Sequence, residues 1–151
     1  MVVAFGGCDG TGKTTLLRET EKILKSQGYR VKAFKPLAQN TKFCQNLLAI
    51  KKGYPGSVND LNTRLRLLIA FETYQISLKL LEEQKEYDYI LLDRWTLCQR
   101  IYGVVWQNIE PMADHILDQC LKPDITFIID ADEKVVDRRL SQRIERKPIE
   151  D

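Results

Sequence analysis

Histidine is nearly missing from this chain: His115 stands alone among 151 residues. The four cysteines fall at positions 8, 44, 98 and 120, and no two are spaced as C-x-x-C. Together these scarcities argue against a zinc centre and against a disulfide framework, and unpaired thiols suit a reducing compartment. Long apolar runs are missing too. The N-terminal run, Val2 to Phe5, is too short for a secretory signal, and no stretch approaches the ~20 apolar residues of a membrane span. There is no strong excess of charge. A net charge of +2 calls neither for nucleic acid nor for a membrane surface. No repeat or low-complexity tract is present. The expectation is a single cytoplasmic enzyme or binding domain over 1–151, long enough to bury a core unaided.

What the chain does have is alternation. Residues 2–5, 29–34, 87–93 and 124–130 read as strands, being apolar, β-branched and bounded by turn residues. Between them, 14–27, 37–52, 61–84, 111–121 and 132–147 read as helices, with Gly28 stopping the first. "GYPGSVND" at 53–60 reads as a loop. In the long helix, Leu65, Leu68, Ile69, Glu72, Ile76 and Leu80 fall near one face. Strands alternating with helices predict right-handed crossovers and an α/β fold, a parallel sheet between two helical layers. The apolar strands fit burial on both faces.

Glycine is concentrated where the first strand ends. Gly7-Cys8-Asp9-Gly10-Thr11-Gly12-Lys13-Thr14 fits the pattern G-x-x-x-x-G-K-[ST]. Such a loop turns its backbone N–H groups inward around phosphates, and the helix that follows points its positive end at the anion. Lys13 then reaches the β- and γ-phosphates and Thr14 ligates Mg²⁺. A plain glycine-rich turn is the rival reading. The position between a strand and a helix favours phosphate binding. The candidate set is Gly7, Asp9, Gly10, Thr11, Gly12, Lys13, Thr14 and Thr15.

"LLDRW" at 91–95 is the second constellation. Asp93 ends a strand whose carboxyl end lines the ligand crevice of an open α/β sheet, and Arg94 follows it. The carboxylate can hold Mg²⁺ or orient an acceptor, and the guanidinium can grip a phosphate. The alternative is a helix cap beside a surface arginine. Arg139, Arg143 and Arg146 share one side of the last helix and read as a lid over about 138–149 that neutralises a transferring phosphoryl group. A solvated charged face is the alternative there. Glu72 is divided between an ordinary surface carboxylate and a reader of a substrate base. Trp95, Tyr102 and Trp106 either stack on a base or fill the core, with core preferred for Trp106. His115 reads as an ordinary helix residue.

"DGTGKTT" (9–15), "LLDRW" (91–95) and "KPDITFIIDADEKVVDRRLSQR" (122–143) stand in the order and spacing of a known family. On these segments the chain resembles the thymidylate kinase family of P-loop nucleoside monophosphate kinases. The resemblance implies a five-stranded parallel P-loop fold and transfer of the γ-phosphoryl of Mg-ATP to a nucleotide. It implies that Asp9 lies near the acceptor sugar and that Lys13 and Thr14 serve the phosphates and Mg²⁺. It assigns Asp93 and Arg94 to metal and acceptor phosphate, Tyr102 to the acceptor, and the catalytic arginine to the lid. A homodimer is implied likewise, with ATP and an acceptor nucleotide or nucleoside as small-molecule partners.

The chain also departs from the family. Gly6 stands where glutamate is usual, and only Lys35 stands near the place of an acceptor-binding arginine. Ile69, Glu72 and Thr73 replace the aromatic and the Asp-Arg pair near the base. "FETY" at 71–74 is similar instead to the Phe-Gln-Thr-Tyr of deoxynucleoside kinases. The family's last strand and helix have no counterpart here, so a fragment or an incomplete adenine site is expected. Phosphorylation of a monophosphate is the leading expectation. A deoxynucleoside kinase and a non-catalytic nucleotide-binding relative are its rivals.

Overall fold

The computed structural model describes residues 1–36, 42–53, 58–105 and 110–145. In chain order these form β1 (Val2–Gly6), α1 (Lys13–Ser26), β2 (Val31–Phe34), α2 (Lys42–Gly53), α3 (Val58–Glu83), β3 (Tyr89–Asp93), α4 (Thr96–Val105), α5 (Pro111–Asp118), β4 (Ile125–Ile128) and α6 (Glu133–Glu145). The strands make one parallel sheet in the order β2-β3-β1-β4.

Alternation along the central strands assigns the two faces. Val3 and Phe5 of β1 and Leu91 of β3 pack with Leu17 of α1. Val2, Ala4, Ile90 and Leu92 point the other way, into a cluster with Ala70 and Leu80 of α3 and Ala113 and Leu117 of α5. Helices therefore cover both faces, and the core lies on either side of β1 and β3. The end of α1 shows why Gly28 is glycine. Its φ is 88°, and the N–H groups of Gly28 and Tyr29 close on the carbonyls of Lys25 and Leu24, a Schellman stop. From β1 the chain leaves through α1 toward β2. From β3 it leaves through α4 and α5 toward β4. The connections part between two adjacent strands, which opens a crevice at their carboxyl ends.

Four expectations change. Residues 96–105 form α4, a helix beyond those that the strand and helix patterns predict. The loop expected over 53–60 is shorter, because α3 begins at Val58. The buried face of α3 runs through Leu65, Ala70, Thr73, Ser77 and Leu80, whereas Leu68 is exposed. Two fully buried hydroxyl residues sit on that face, and apolar periodicity is blind to them. Finally, β4 is not buried: it is an edge strand among the described residues, and Ile125, Phe127 and Ile128 are all exposed. Residues 37–41, 54–57 and Trp106 lie outside the described residues. Among those described, no helix is long and apolar enough to cross a membrane.

Candidate active site

The glycine-rich segment joins β1 to α1 at the mouth of the crevice. Gly7 has φ 133°, and a Cβ there would stand 2.2 Å from the carbonyl oxygen of Ile129. The loop thus rests directly on the backbone leaving β4, where Ile129 N–H donates to Gly6 O at 2.8 Å. Gly10 and Gly12 also have positive φ. The Thr11 hydroxyl donates to Cys8 O at 2.9 Å, and the Lys13 ammonium donates to Cys8 O and, at 3.4 Å, to Thr11 Oγ1. Gly12 is the N-cap of α1, whose first turn holds no acidic residue. No side chain caps that end, which leaves the first-turn N–H groups and the positive helix end to suit an anion.

Lys13 is buried, and burial is the main reason its pKa is lowered from the ordinary 10.5. Arg94 lowers it further, while Asp9 and Asp93 act in the opposite sense. An ammonium so placed gains much from an arriving polyanion. The hydroxyl of Thr14 donates to Asp93 Oδ2 at 2.6 Å, and Asp93 is itself buried. These two oxygens are the hard-donor pair of the site. Among the described residues no group of three or more His, Cys, Asp and Glu could hold a metal. Two protein oxygens suit Mg²⁺, which keeps most of its waters and takes the rest of its shell from phosphates.

Arg94 is the only described non-glycine residue with positive φ, at 71°. Its guanidinium donates to Gly7 O at 2.9 Å and to Asp9 Oδ1 at 2.7 Å, and lies 5.4 Å from the centre of the Tyr102 ring. Burial raises the pKa of Tyr102 from the ordinary 10.0, and the charge of Arg94 opposes that rise. Asp93 and Arg94 are sequence neighbours that face different partners, Thr14 and Asp9.

The remaining candidates are spread over the fold, and the cleft that Lys35 and Glu72 line includes no residue of the loop, nor Asp93 or Arg94. In α6, Arg139 donates to Gly10 O at 3.0 Å. The Arg143 side chain and Arg146 lie outside the described residues. Lys35 and Glu72 line one cleft between β2 and α3, floored by Phe34 and Ile76. Thr15 is exposed on the first turn of α1, and His115 is exposed on α5. The structure adds a group not anticipated from the sequence. Gln99 of α4 donates through Nε2 to Thr73 Oγ1 at 2.6 Å, and the Thr73 hydroxyl donates to Ile69 O at 2.8 Å. The signal for it was faint: a threonine and a glutamine, each ordinary on a surface.

Residues 5–151 match the family model described as thymidylate kinase. The chain is 29% identical to the probable thymidylate kinase of Sulfurisphaera tokodaii, over 85% of this chain and 62% of that protein. It is 28% identical to the thymidylate kinase of Acinetobacter baylyi, over 87% of this chain and 66% of that one. The chain thus spans less than two thirds of the length of these curated relatives. The crystal structure of thymidylate kinase from Ehrlichia chaffeensis shares the fold, with a TM-score of 0.67 at 22% identity over 96% of this chain and 84% of that one. A match along nearly its whole length places this chain in the thymidylate kinase family.

Proposed function

We propose that the protein is an ATP-dependent nucleoside monophosphate kinase. One observation carries the reading: Asp93 and Arg94, adjacent at the end of β3, reach Thr14 on one side and Asp9 on the other. A single strand end thereby serves a donor-phosphate cradle and a cation for the acceptor phosphate. Phosphoryl transfer asks for alignment and charge neutralisation more than for covalent chemistry. Lys13 and the N–H groups of the loop hold the donor phosphates. The Thr14 hydroxyl and the Asp93 carboxylate are the residues that would hold Mg²⁺, which when bound offsets charge on the phosphate oxygens. Arg94 orients the acceptor, and Asp9 fixes the guanidinium from the far side. Arg139 supplies the arginine that the loop itself lacks.

Glu72 bears on the base. A carboxylate only accepts hydrogen bonds, so it favours a base that presents an exocyclic amine. The protein, with Mg-ATP and a panel of nucleosides and nucleoside monophosphates, is expected to release ADP with monophosphates only. Turnover confined to nucleosides supports the deoxynucleoside kinase reading instead. ATP binding without turnover of any acceptor leaves a nucleotide-binding protein. Glu72→Gln is expected to shift preference among the monophosphates, and an unchanged order removes Glu72 from base selection.

A further inference from the structure

The Arg94 guanidinium reaches the loop because the chain takes an uncommon turn immediately after β3. Along β3, Ile90 and Leu92 face α3 and α5, and Leu91 faces α1. Asp93 keeps this alternation and meets Thr14 of α1. Extended backbone would send residue 94 back toward α3 and α5, and residue 95 toward α1. The left-handed φ of 71° at Arg94 reverses that order. Trp95 instead fills the α3 and α5 side, 2% exposed, and Arg94 is turned up to Gly7 and Asp9.

A left-handed non-glycine residue persists where its surroundings over-determine it. Here they do so through the neighbouring side chain. The Trp95 indole N–H donates to Leu121 O at 2.7 Å. The other polar group of Leu121, its N–H, donates to Ser77 Oγ at 2.5 Å, and Ser77 is wholly buried on α3. One peptide position between α5 and β4 is therefore held at both its polar atoms, by α3 and by the residue after Arg94. On the opposite side, Arg94 N–H donates to Phe5 O at 2.9 Å.

We infer that Trp95 and Ser77 are positioning residues for acceptor binding, their clamp on Leu121 holding the left-handed turn that presents Arg94. The inference rests on the reading of Arg94 as the acceptor-phosphate cation. It calls for a clamp that tunes acceptor affinity without touching either substrate.

The test is equilibrium binding of the deoxynucleoside 5′-monophosphates and, separately, of ATP, well below the unfolding temperature. Trp95→Phe keeps an aromatic ring and removes the N–H. Ser77→Ala keeps Trp95 and frees Leu121, so it reads the same clamp where the first variant folds poorly. Each is expected to weaken monophosphate binding about tenfold, the worth of one well-made hydrogen bond, and to leave ATP affinity unchanged. In an Arg94→Ala background Trp95→Phe is expected to add nothing further. Equal weakening of both ligands, or full additivity with Arg94→Ala, overturns the inference and leaves Trp95 a packing residue. Should Arg94→Ala alone leave monophosphate binding intact, the acceptor reading of Arg94 falls, and the clamp loses its role with it. Should Arg94→Ala weaken binding while neither clamp variant does, only the clamp falls.

Discussion

Lys13 holds its charge where burial and Arg94 both work against it. Among the described residues its ammonium donates only to Cys8 O and Thr11 Oγ1, both within its own loop. Lys13→Ala is therefore expected to lose ATP binding and at least ~10²-fold in turnover, as for other charge-stabilising donors, while the thermal midpoint stays near wild type. A large fall in that midpoint would make Lys13 structural instead. Cys120 behaves in the contrary way. Burial raises its pKa from 9.0 to about 11, with Arg100 opposing weakly. The folded state therefore keeps a proton that the unfolded state releases. Cys120 contributes fully to stability below pH 9 and loses that contribution as pH rises toward 11, on the order of 2 kcal/mol. Urea unfolding from pH 8 to 11 checks it: a Cys120→Ala variant is expected to lose less stability over that range than wild type.

At the scale of elements, α3, α4 and α5 meet at the partly buried guanidinium of Arg66. Arg66 Nη2 donates to Asp114 Oδ1 at 2.6 Å. The guanidinium lies over Gly103, where an added Cβ would fall 1.1 Å from Arg66 Nη1. Gly103→Ala is expected to displace Arg66 from Asp114 and cost roughly 1–3 kcal/mol by chemical denaturation. A smaller cost would mean that the guanidinium swings aside freely. The contact of α6 with the loop has a different consequence. Arg139→Ala removes the bond to Gly10 O, and turnover is expected to fall by about 10² or more with ATP affinity little changed. Normal turnover in that variant passes the lid role to Arg143 or Arg146. Elements of this kind were unevenly legible in the sequence. The strands, α1 and the glycine-rich loop announce themselves by period, β-branching and a φ that glycine tolerates. The α4 helix does not, because its first turn follows the left-handed Arg94 without a conventional capping residue. Thr73, Ser77 and Gln99 were illegible for a related reason: their partners lie on other elements, and polar residues at those spacings normally mark a surface. Arg94 could be named from its motif, but the turn that aims it could not.

The whole molecule is organised by β1 and β3, which occupy the centre of the sheet and carry the loop and the Asp-Arg pair at their ends. The outer strands differ in cover. β4 pairs with β1 and, among the described strands, with no other, and it leaves Ile125, Phe127 and Ile128 exposed. An apolar edge of this sort favours pairing between molecules. The chain is expected to show concentration-dependent association in sedimentation velocity, and Ile125→Lys to reduce it with an unchanged circular dichroism spectrum. Association that is indifferent to the substitution places the sticky surface elsewhere. The sheet order was not readable from the strands themselves, since alternation with helices is equally compatible with several orders. Register is settled by contacts such as Val2 with Ile90 and Val3 with Ile125, which join residues distant in the chain.

That central pairing has a consequence for biosynthesis. Val2 cannot meet Ile90 until the ribosome has added 88 further residues, which at about 5–20 residues per second is a wait of roughly 4–18 seconds. During that interval the glycine-rich loop has neither Asp93 to pair with Thr14 nor Ile129 to rest on. The glycine-rich turn is thus synthesised well before the strands it rests on, and it takes its final form only after them.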